Sequence, residues 1–298
     1  MRKLGIILAG GKSTRLYPST LVVSKQLLPV YDKPLIYYPL TSLMLAGIRD
    51  FVIITSPGEA EKMSNLFWDS TEELGISVRV LVQQTPAGIA DAFNVVYEWL
   101  GEQVYEYDSH ALILGDNIFY GAGFTGMVNS VSPSNATVFA YTSNNPSQFG
   151  VVEMKDGKAV SIEEKPENPK SNLIITGLYF YPSDVYEYVK TLTPSARNEL
   201  EITDVNKIYL RENRLDVVKL SRGTVWFDTG TADSLLEASL FVQSIQKHQG
   251  YMVGNPHEIA IENGWFDKNY IDSFLSKCGK TSYGKYLQNL LDYESTSS

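Results

Sequence analysis

The chain has 298 residues, of which 44% are hydrophobic and 20% charged, with a formal net charge of -9 and a sequence pI of about 5.0. The acidic balance and the lack of a basic stripe argue against nucleic-acid binding, and no apolar run is long enough to span a membrane. The apolar run after Met1-Arg2-Lys3 is too short for a signal peptide, and Cys278 is the single cysteine, so we expect a cytoplasmic protein without disulfides.

Short apolar runs alternate with helical patterns in the first half of the chain. The apolar runs predict strands at residues 4–8, 51–55, 78–83, 111–114 and 136–141. The helical patterns predict helices at residues 35–46, 59–68 and 89–100. Because such alternation is typical of parallel strands joined by right-handed crossovers, we expect an α/β fold with helices on both faces of a sheet.

Strands follow one another with fewer helices after about residue 145. They are predicted at residues 150–154, 160–164, 177–181, 215–220 and 225–227. Two helices are predicted, at residues 199–211 and 232–248, and short helices from about residue 252 onward. Asp156-Gly157 is a typical hairpin turn. Since no linker separates two units, we expect the later strands to extend the same sheet.

A glycine-rich loop follows the first predicted strand. Gly10 and Gly11 precede Lys12, two hydroxyl residues and Arg15. A turn rich in backbone N–H groups can hold phosphate, and local positive charge on an acidic chain favours a small polyanion. The spacing matches neither the Walker loop nor the dinucleotide fingerprint, so a plain strand-to-helix turn is the alternative.

Polar residues also follow other strands of the predicted sheet. Gln83 and Gly88 come after the third strand, and Asp116 and Asn117 come directly after the fourth. Ligands of open α/β sheets bind beyond the carboxyl ends of the strands. Three such clusters at one edge of the sheet therefore predict a binding site.

Two aspartates are candidate ligands for magnesium. Asp116 ends a buried strand, and Asp228 follows another strand far downstream. Two carboxylates, nucleotide phosphates and water would complete the octahedral shell that Mg²⁺ requires. The alternative is that each aspartate caps a helix, although Thr231 is a better cap for the helix at residues 232–248.

The segment Glu163-Glu164-Lys165-Pro166 closes another predicted strand. Neighbouring strand residues face opposite sides of a sheet, so Glu163 and Glu164 cannot form a glycosidase pair. We interpret Glu164 as an acceptor for a sugar hydroxyl beside Lys165 as a phosphate donor. An exposed hairpin with solvated charges is the alternative.

Several ordered motifs together resemble the sugar nucleotidyltransferases. They are Leu8-Ala9-Gly10-Gly11 with Thr14-Arg15-Leu16, Ser24-Lys25-Gln26-Leu27-Leu28-Pro29, Leu114-Gly115-Asp116-Asn117, Glu163-Glu164-Lys165-Pro166, Gly177-Leu178-Tyr179-Phe180-Tyr181, Glu199-Leu200-Glu201-Ile202-Thr203-Asp204 and Asp228-Thr229-Gly230-Thr231. Within that family the chain is most similar to the glucose-1-phosphate thymidylyltransferases, and the match covers nearly the whole chain.

The resemblance implies a Rossmann-like nucleotidyltransferase fold, in which a mixed, mostly parallel sheet carries added sugar-binding strands and a helical C-terminal region. It implies that dTTP and α-D-glucose 1-phosphate give dTDP-glucose and pyrophosphate, with Mg²⁺, at the start of dTDP-deoxysugar synthesis such as that of dTDP-rhamnose. It also implies a catalytic domain over residues 1–250, with nucleotide-binding and sugar-binding parts at about 1–120 and 121–230. Residues 251–298 would form an assembly or regulatory extension of a homotetramer.

The resemblance also implies a role for each matching position. The nucleotide would be bound by Gly10, Gly11, Thr14, Arg15, Lys25, Gln26, Gln83, Gly88 and Asp116. The sugar phosphate would be bound by Asn117, Gly150, Glu164, Lys165 and Ile175. The metal would be bound by Asp116 and Asp228, and the catalytic residues would be Arg15, Lys165 and Asp116.

Two positions depart from the family pattern. Ser13 and Ala87 stand where relatives usually have glycine and aspartate. A Cβ at position 13 restricts φ, and the loss of a carboxylate beside Gly88 affects contacts near the base. The choice of dTTP over UTP is therefore open at this point, and a UTP-using enzyme is one alternative. A non-catalytic nucleotide-sugar sensor is the alternative from another class.

Overall fold

A nine-stranded sheet forms the centre of the computed structural model, which describes residues 1–11, 13–67 and 74–297. Its strands are β1 Lys3–Ala9, β4 Asp50–Thr55, β5 Ser77–Val82, β6 Ser109–Leu114, β8 Ala136–Thr142, β9 Gly150–Lys155, β10 Lys158–Glu164, β11 Leu173–Tyr181 and β12 Leu215–Lys219. The strands outside this sheet form two antiparallel pairs, β2 Pro29–Val30 with β3 Lys33–Pro34, and β7 Asn117–Tyr120 with β13 Val225–Asp228.

Helices cover both faces of the sheet and form the C-terminal region. They are α1 Tyr37–Met44, α2 Ala60–Phe67, α3 Asp91–Leu100, α4 Phe124–Asn129, α5 Val185–Lys190, α6 Ile202–Arg211, α7 Ala232–Gln249, α8 Pro256–Glu262, α9 Lys268–Cys278 and α10 Ser282–Ser297. Among the residues described, no helix combines the length and apolar character needed to cross a bilayer.

The sheet is mixed, and parallel pairs dominate its first half. The order is β5-β4-β1-β6-β11-β8-β12, with β9 and β10 attached beside β11 as a hairpin. The pairs β1/β4, β1/β6, β4/β5 and β8/β12 are parallel, whereas β11 runs antiparallel to its neighbours. The predicted fold class is confirmed, and the turn at Asp156-Gly157 does join an antiparallel hairpin.

The sheet is buried on both faces because neighbouring β1 side chains enter two different cores. Ile6 packs in one core with Phe93 of α3, and Ile7 packs in the other with Leu40 of α1. A strand buried on both sides has to be apolar at successive positions, as β1 is. This packing places the carboxyl ends of β1, β4, β5 and β6 along one edge of the sheet.

The structure differs from the sequence-based predictions at several elements. The later strands were expected to extend the main sheet, and for the predicted strand at 225–227 this is wrong. That strand is β13, which pairs with β7, a strand that the sequence did not indicate. The predicted helix at 35–46 is a helix only from Tyr37 to Met44, and the one at 89–100 starts at Asp91. The predicted end of the helix at 59–68 lies outside the described residues.

Candidate active site

The glycine loop after β1 meets the loops that follow β4 and β5. Gly11 has a φ of 110°, which favours glycine, and its N–H donates to Ser56 Oγ at 3.0 Å. A Cβ on Gly10 would lie 3.5 Å from Ser56 Oγ and 3.9 Å from Gln83 Oε1. The predicted approach of the glycine loop to the Gln83 loop is therefore observed, and the loop after β4, for which no role was predicted, joins them through Ser56. Lys12 lies outside the described residues.

Ser13 takes a left-handed conformation, with a φ of 45°, just before the 3-10 turn Thr14–Leu16. A residue with a Cβ in this region is strained by ~1 kcal/mol or more. The loop thus keeps the turn that glycine would favour, at an energetic cost. Thr14 and Arg15 are exposed on this turn.

Arg15 reaches across to the segment that follows β13. A Cβ on Gly230 would lie 2.7 Å from Arg15 Nη2 and 3.2 Å from Asp228 Oδ1. A side chain at position 230 would displace the Arg15 guanidinium, so glycine lets the guanidinium lie close to this part of the backbone beside Asp228. Residues more than two hundred positions apart are therefore brought into one polar cluster.

Gly88 lies in a turn that is fixed against the segment before α6. Its φ is 102°, and a Cβ there would lie 2.4 Å from the Leu200 carbonyl oxygen. The Leu200 N–H donates to the Ala87 carbonyl oxygen at 2.7 Å. The contact at position 87 uses only the backbone, so alanine in place of aspartate leaves this turn intact.

The Gln83 side chain is held by α3. Its Nε2 donates to Asp91 Oδ2 at 2.7 Å, and Asn94 Nδ2 donates to the other oxygen of that carboxylate at 3.0 Å. Gln83 is 9% exposed. Its amide is therefore fixed beside the glycine loop.

A buried ion pair lies at the centre of the site. Lys25 Nζ donates to Asp116 Oδ2. The Thr229 N–H and hydroxyl both donate to the Asp116 carbonyl oxygen, at 3.2 and 2.8 Å. Gln26 is almost fully buried behind Gly115, where a Cβ would lie 3.1 Å from Gln26 Cγ. Gln26 therefore packs against the turn that carries Asp116.

Asp228 faces the same cluster from the opposite strand. The antiparallel register of β7 and β13 places Asp228 opposite Asn117. Burial and the nearby charge of Asp116 raise the pKa of Asp228, and Lys25 and Arg15 oppose this rise. A cation stabilises two carboxylates that repel each other in a partly buried site.

Neither aspartate is a helix cap, so that alternative is wrong. Asp116 is followed by the strand β7, and Thr231 caps α7, accepting from the Ser234 N–H at 3.2 Å in a capping box. Within the described ranges, no group of three or more His, Cys, Asp or Glu residues is placed to hold a metal. The two aspartates therefore fit a cation whose remaining ligands come from phosphate and water.

A cavity of about 480 Å³ opens beside Asp228. Its wall includes all five residues predicted to bind sugar together with two predicted catalytic or metal residues, namely Asn117, Gly150, Glu164, Lys165, Ile175, Arg15 and Asp228. Of the predicted nucleotide residues, Arg15 lines this cavity, and the others do not, namely Gly10, Gly11, Thr14, Lys25, Gln26, Gln83, Gly88 and Asp116. Arg15 is therefore the predicted nucleotide residue that the cavity shares with the predicted sugar residues.

Glu164 is the fixed acceptor of the cavity. Its Oε2 accepts from Thr203 Oγ1 at 2.5 Å, and its Oε1 lies 3.4 Å from Arg197 Nη2 and 3.7 Å from Lys165 Nζ. Lys165 has a φ of 42°, and its side chain is about half exposed. Glu163 pairs with Lys170 at 2.6 Å instead, so the two glutamates do have separate environments.

Asn117 connects the cavity to the carboxylates. Its Nδ2 donates to Asp116 Oδ1 at 3.0 Å, while its Oδ1 accepts from the Gly177 N–H at 3.1 Å and from Trp226 Nε1 at 2.7 Å. Sequence reasoning assigned no role to Trp226, Thr203 or Arg197, although each lies in or near a quoted motif. Only the structure shows that they contact predicted site residues.

Comparison with known proteins gives consistent matches over nearly the whole chain. The family model for nucleotidyl transferases matches residues 4–245. A glucose-1-phosphate thymidylyltransferase of Neisseria meningitidis is 50% identical over 290 residues, which are 96% of this chain and 99% of that protein. The enzyme of the same name from Mycobacterium tuberculosis is also 50% identical, over 97% of this chain and 99% of its own.

Solved structures resemble the fold. A Bacillus anthracis protein, described as a glucose-1-phosphate thymidylyltransferase in complex with a sucrose, has a TM-score of 0.70 at 38% identity, over 80% of this chain and 94% of its own. A UDP-glucose pyrophosphorylase in complex with UDP-glucose has a TM-score of 0.71 over 82% of this chain and 99% of its own, at 22% identity. The second likeness concerns the fold alone.

Proposed function

The chain belongs to the nucleotidyl transferase family, and within it to the glucose-1-phosphate thymidylyltransferases, and we propose on this basis that it converts dTTP and α-D-glucose 1-phosphate to dTDP-glucose and pyrophosphate. The observation that carries the proposal is the cavity whose wall joins Glu164 and Lys165 to Arg15 and Asp228. A sugar phosphate in this cavity lies next to the loops that receive a nucleotide.

The nucleophile needs no general base. A phosphate monoester has a second pKa near ~6 and is largely dianionic at neutral pH. One of its oxygens attacks the α-phosphorus of dTTP, the bond from that phosphorus to the bridging oxygen breaks, and pyrophosphate leaves in line. The protein contributes orientation and charge neutralisation.

Three residues have distinct roles in this reaction. Lys165 holds the attacking phosphate at the cavity mouth, since it lines the cavity and its half-exposed side chain lies 3.7 Å from Glu164. Arg15 stabilises negative charge on the α-phosphate and on the departing pyrophosphate. Glu164 accepts from a sugar hydroxyl, because Thr203 already fixes one of its oxygens in place.

Asp116 and Asp228 would hold Mg²⁺. The raised pKa of Asp228 beside Asp116 supports this assignment, since a cation relieves that repulsion. When bound, the ion would neutralise charge on the triphosphate and orient it. Asn117 keeps Asp116 directed at the site through its 3.0 Å hydrogen bond.

The cellular setting follows from this reaction. We place the enzyme in the cytoplasm, where its product would enter dTDP-deoxysugar synthesis such as that of dTDP-rhamnose.

Residues 1–250 would form the catalytic domain, with the nucleotide bound by about residues 1–120 and the sugar by about 121–230. Residues 251–298 would contribute to a homotetramer.

A substrate panel tests the proposal. Pyrophosphate release is measured with dTTP or UTP against glucose, galactose and mannose 1-phosphates, with and without Mg²⁺. We expect the highest kcat/KM with dTTP and glucose 1-phosphate, and loss of turnover after the metal is chelated. A preference for UTP would establish a uridylyltransferase, and tight dTDP-glucose binding without pyrophosphate release would establish a sensor.

A further inference from the structure

The Gln83 amide has only one orientation that satisfies its partner. The Gln83 atom that faces Asp91 has to be the NH₂ group, because an ionised carboxylate accepts hydrogen bonds and has no proton to donate. Asn94 donates to the second Asp91 oxygen, so the carboxylate itself is held in place. The Gln83 Oε1 is thereby left on the side of the glycine loop, 3.9 Å from the position of a Cβ on Gly10.

For a base bound against Gln83, this orientation would distinguish one pyrimidine from another. Thymine and uracil present an N3–H donor between two carbonyl oxygens, whereas the N3 of cytosine is an acceptor. An amide that offers its oxygen can accept from the N3–H of the first two bases. Facing cytosine, the same oxygen would leave two acceptors in contact, and a buried polar group without a partner strongly disfavours binding.

We propose that Asp91 is a positioning residue for base selection, which locks the Gln83 amide and thereby commits the nucleotide site to pyrimidines that carry an N3–H. The inference rests on the proposed function and on the resemblance, which assigns Gln83 to the nucleotide site. It deepens that function by separating two sources of specificity. The lock selects against cytosine and does not distinguish thymine from uracil.

Asp91 also has a purely structural role to consider. It is the first residue of α3, where a carboxylate interacts favourably with the helix N-terminus. Loss of that interaction would lower stability and affect all nucleotides in the same proportion. The ratio of efficiencies with two nucleotides therefore separates the two roles.

The test uses Asp91→Asn, which is isosteric but can either donate to or accept from Gln83. Steady-state kcat/KM is measured from pyrophosphate release with dTTP and dCTP, at saturating glucose 1-phosphate and Mg²⁺. We expect the dTTP to dCTP ratio to fall by ~10-fold or more, mainly through KM. Glu98→Gln, at an exposed carboxylate on the same helix α3, is the matched control, and its ratio should stay within ~3-fold of wild type.

Thermal melting verifies that each variant is folded. If Asp91→Asn does not fold, Asp91→Ala provides the same ratio, because alanine favours the helix. An unchanged ratio in a folded Asp91 variant, or equal losses with dTTP and dCTP, would overturn the inference. Failure of the wild-type enzyme to use dTTP would instead overturn the proposed function.

Discussion

At the residue scale, the site depends on polar groups that are far apart in the sequence but close together in space. Arg15, Asp116 and Asp228 come from three separate segments, and Gly230 allows them to approach. The motifs named residues that the structure brings to the wall of one cavity, and their roles in binding and catalysis stay predictions. The contacts of Trp226 and Thr203 were not predictable, because each joins side chains on two elements that are far apart in the sequence.

Asp116→Asn tests the central carboxylate. The substitution keeps the shape but removes the charge that pairs with Lys25 and would bind the metal. We expect kcat to fall by ~100-fold or more, the scale of losing a key electrostatic group. The measurement is pyrophosphate release at saturating dTTP, glucose 1-phosphate and Mg²⁺. Asp204→Asn, at a surface pair with Lys207, is the control, and near-normal turnover of Asp116→Asn would refute the role.

Gly88→Ala tests the close approach of two loops. Gly88 and Gly58 both have positive φ, 102° and 84°, but only at Gly88 would a Cβ collide with backbone, that of Leu200. We expect Gly58→Ala to lower the free energy of unfolding by about 1 kcal/mol and Gly88→Ala by at least about twice that amount. Urea unfolding measures both values, and equal losses would show that the collision is relieved at no cost.

At the element scale, local sequence patterns predicted most strands of the main sheet and the helices that cover it. They did not predict β7, because its partner β13 lies more than a hundred residues away and the pairing is non-local. The preceding Gly115-Asp116-Asn117 has the composition of a loop. Helices α1 and α3 each begin two residues later than the sequence predicted. No side-chain cap fixes the first turn of either helix.

Glu258→Gln tests how α8 packs against α10. Burial raises the pKa of Glu258 to about 7, while the hydrogen bond from the Tyr286 hydroxyl and the charge of Lys33 oppose the rise and Glu262 adds to it. A raised pKa means that the protonated form favours the fold. That contribution is complete below about pH 4.5 and is lost as the pH rises through about 7.

Glutamine mimics the protonated carboxyl, so the variant should gain stability only at high pH. We expect an increase in unfolding free energy on the order of 2 kcal/mol at pH 8.5 and little change at pH 4.5. Denaturant unfolding at both pH values measures the difference. The exposed Glu237→Gln on α7 is the control, and an equal effect at the two pH values would contradict the assignment.

At the scale of the whole molecule, two buried histidines predict sensitivity to acid. Burial lowers the pKa of His110 and of His257 to about 4. The unfolded chain therefore binds more protons between about pH 6.5 and 4, and stability is lost as the pH falls through that range. Each histidine contributes up to about 1.4 kcal/mol per pH unit. The slope of unfolding free energy against pH should be smaller in His110→Phe, and an unchanged slope would contradict the assignment.

Assembly is the second prediction at this scale. Leu236 and Leu240 are 59% and 56% exposed and lie one turn apart on α7, which suits a contact between subunits. We expect light scattering to give a particle of about four times the 33.3 kDa chain mass. A stable monomer at working concentration would contradict the tetramer.

The most direct measurement is a crystal structure of the protein with dTDP-glucose and Mg²⁺. The account predicts glucose in the cavity of about 480 Å³ beside Glu164, with one divalent ion bound by both Asp116 and Asp228. Thymine should lie beside Gln83 and Gly88, with its N3–H donating to Gln83 Oε1. An ion bound away from either aspartate, or a sugar outside this cavity, would contradict the account.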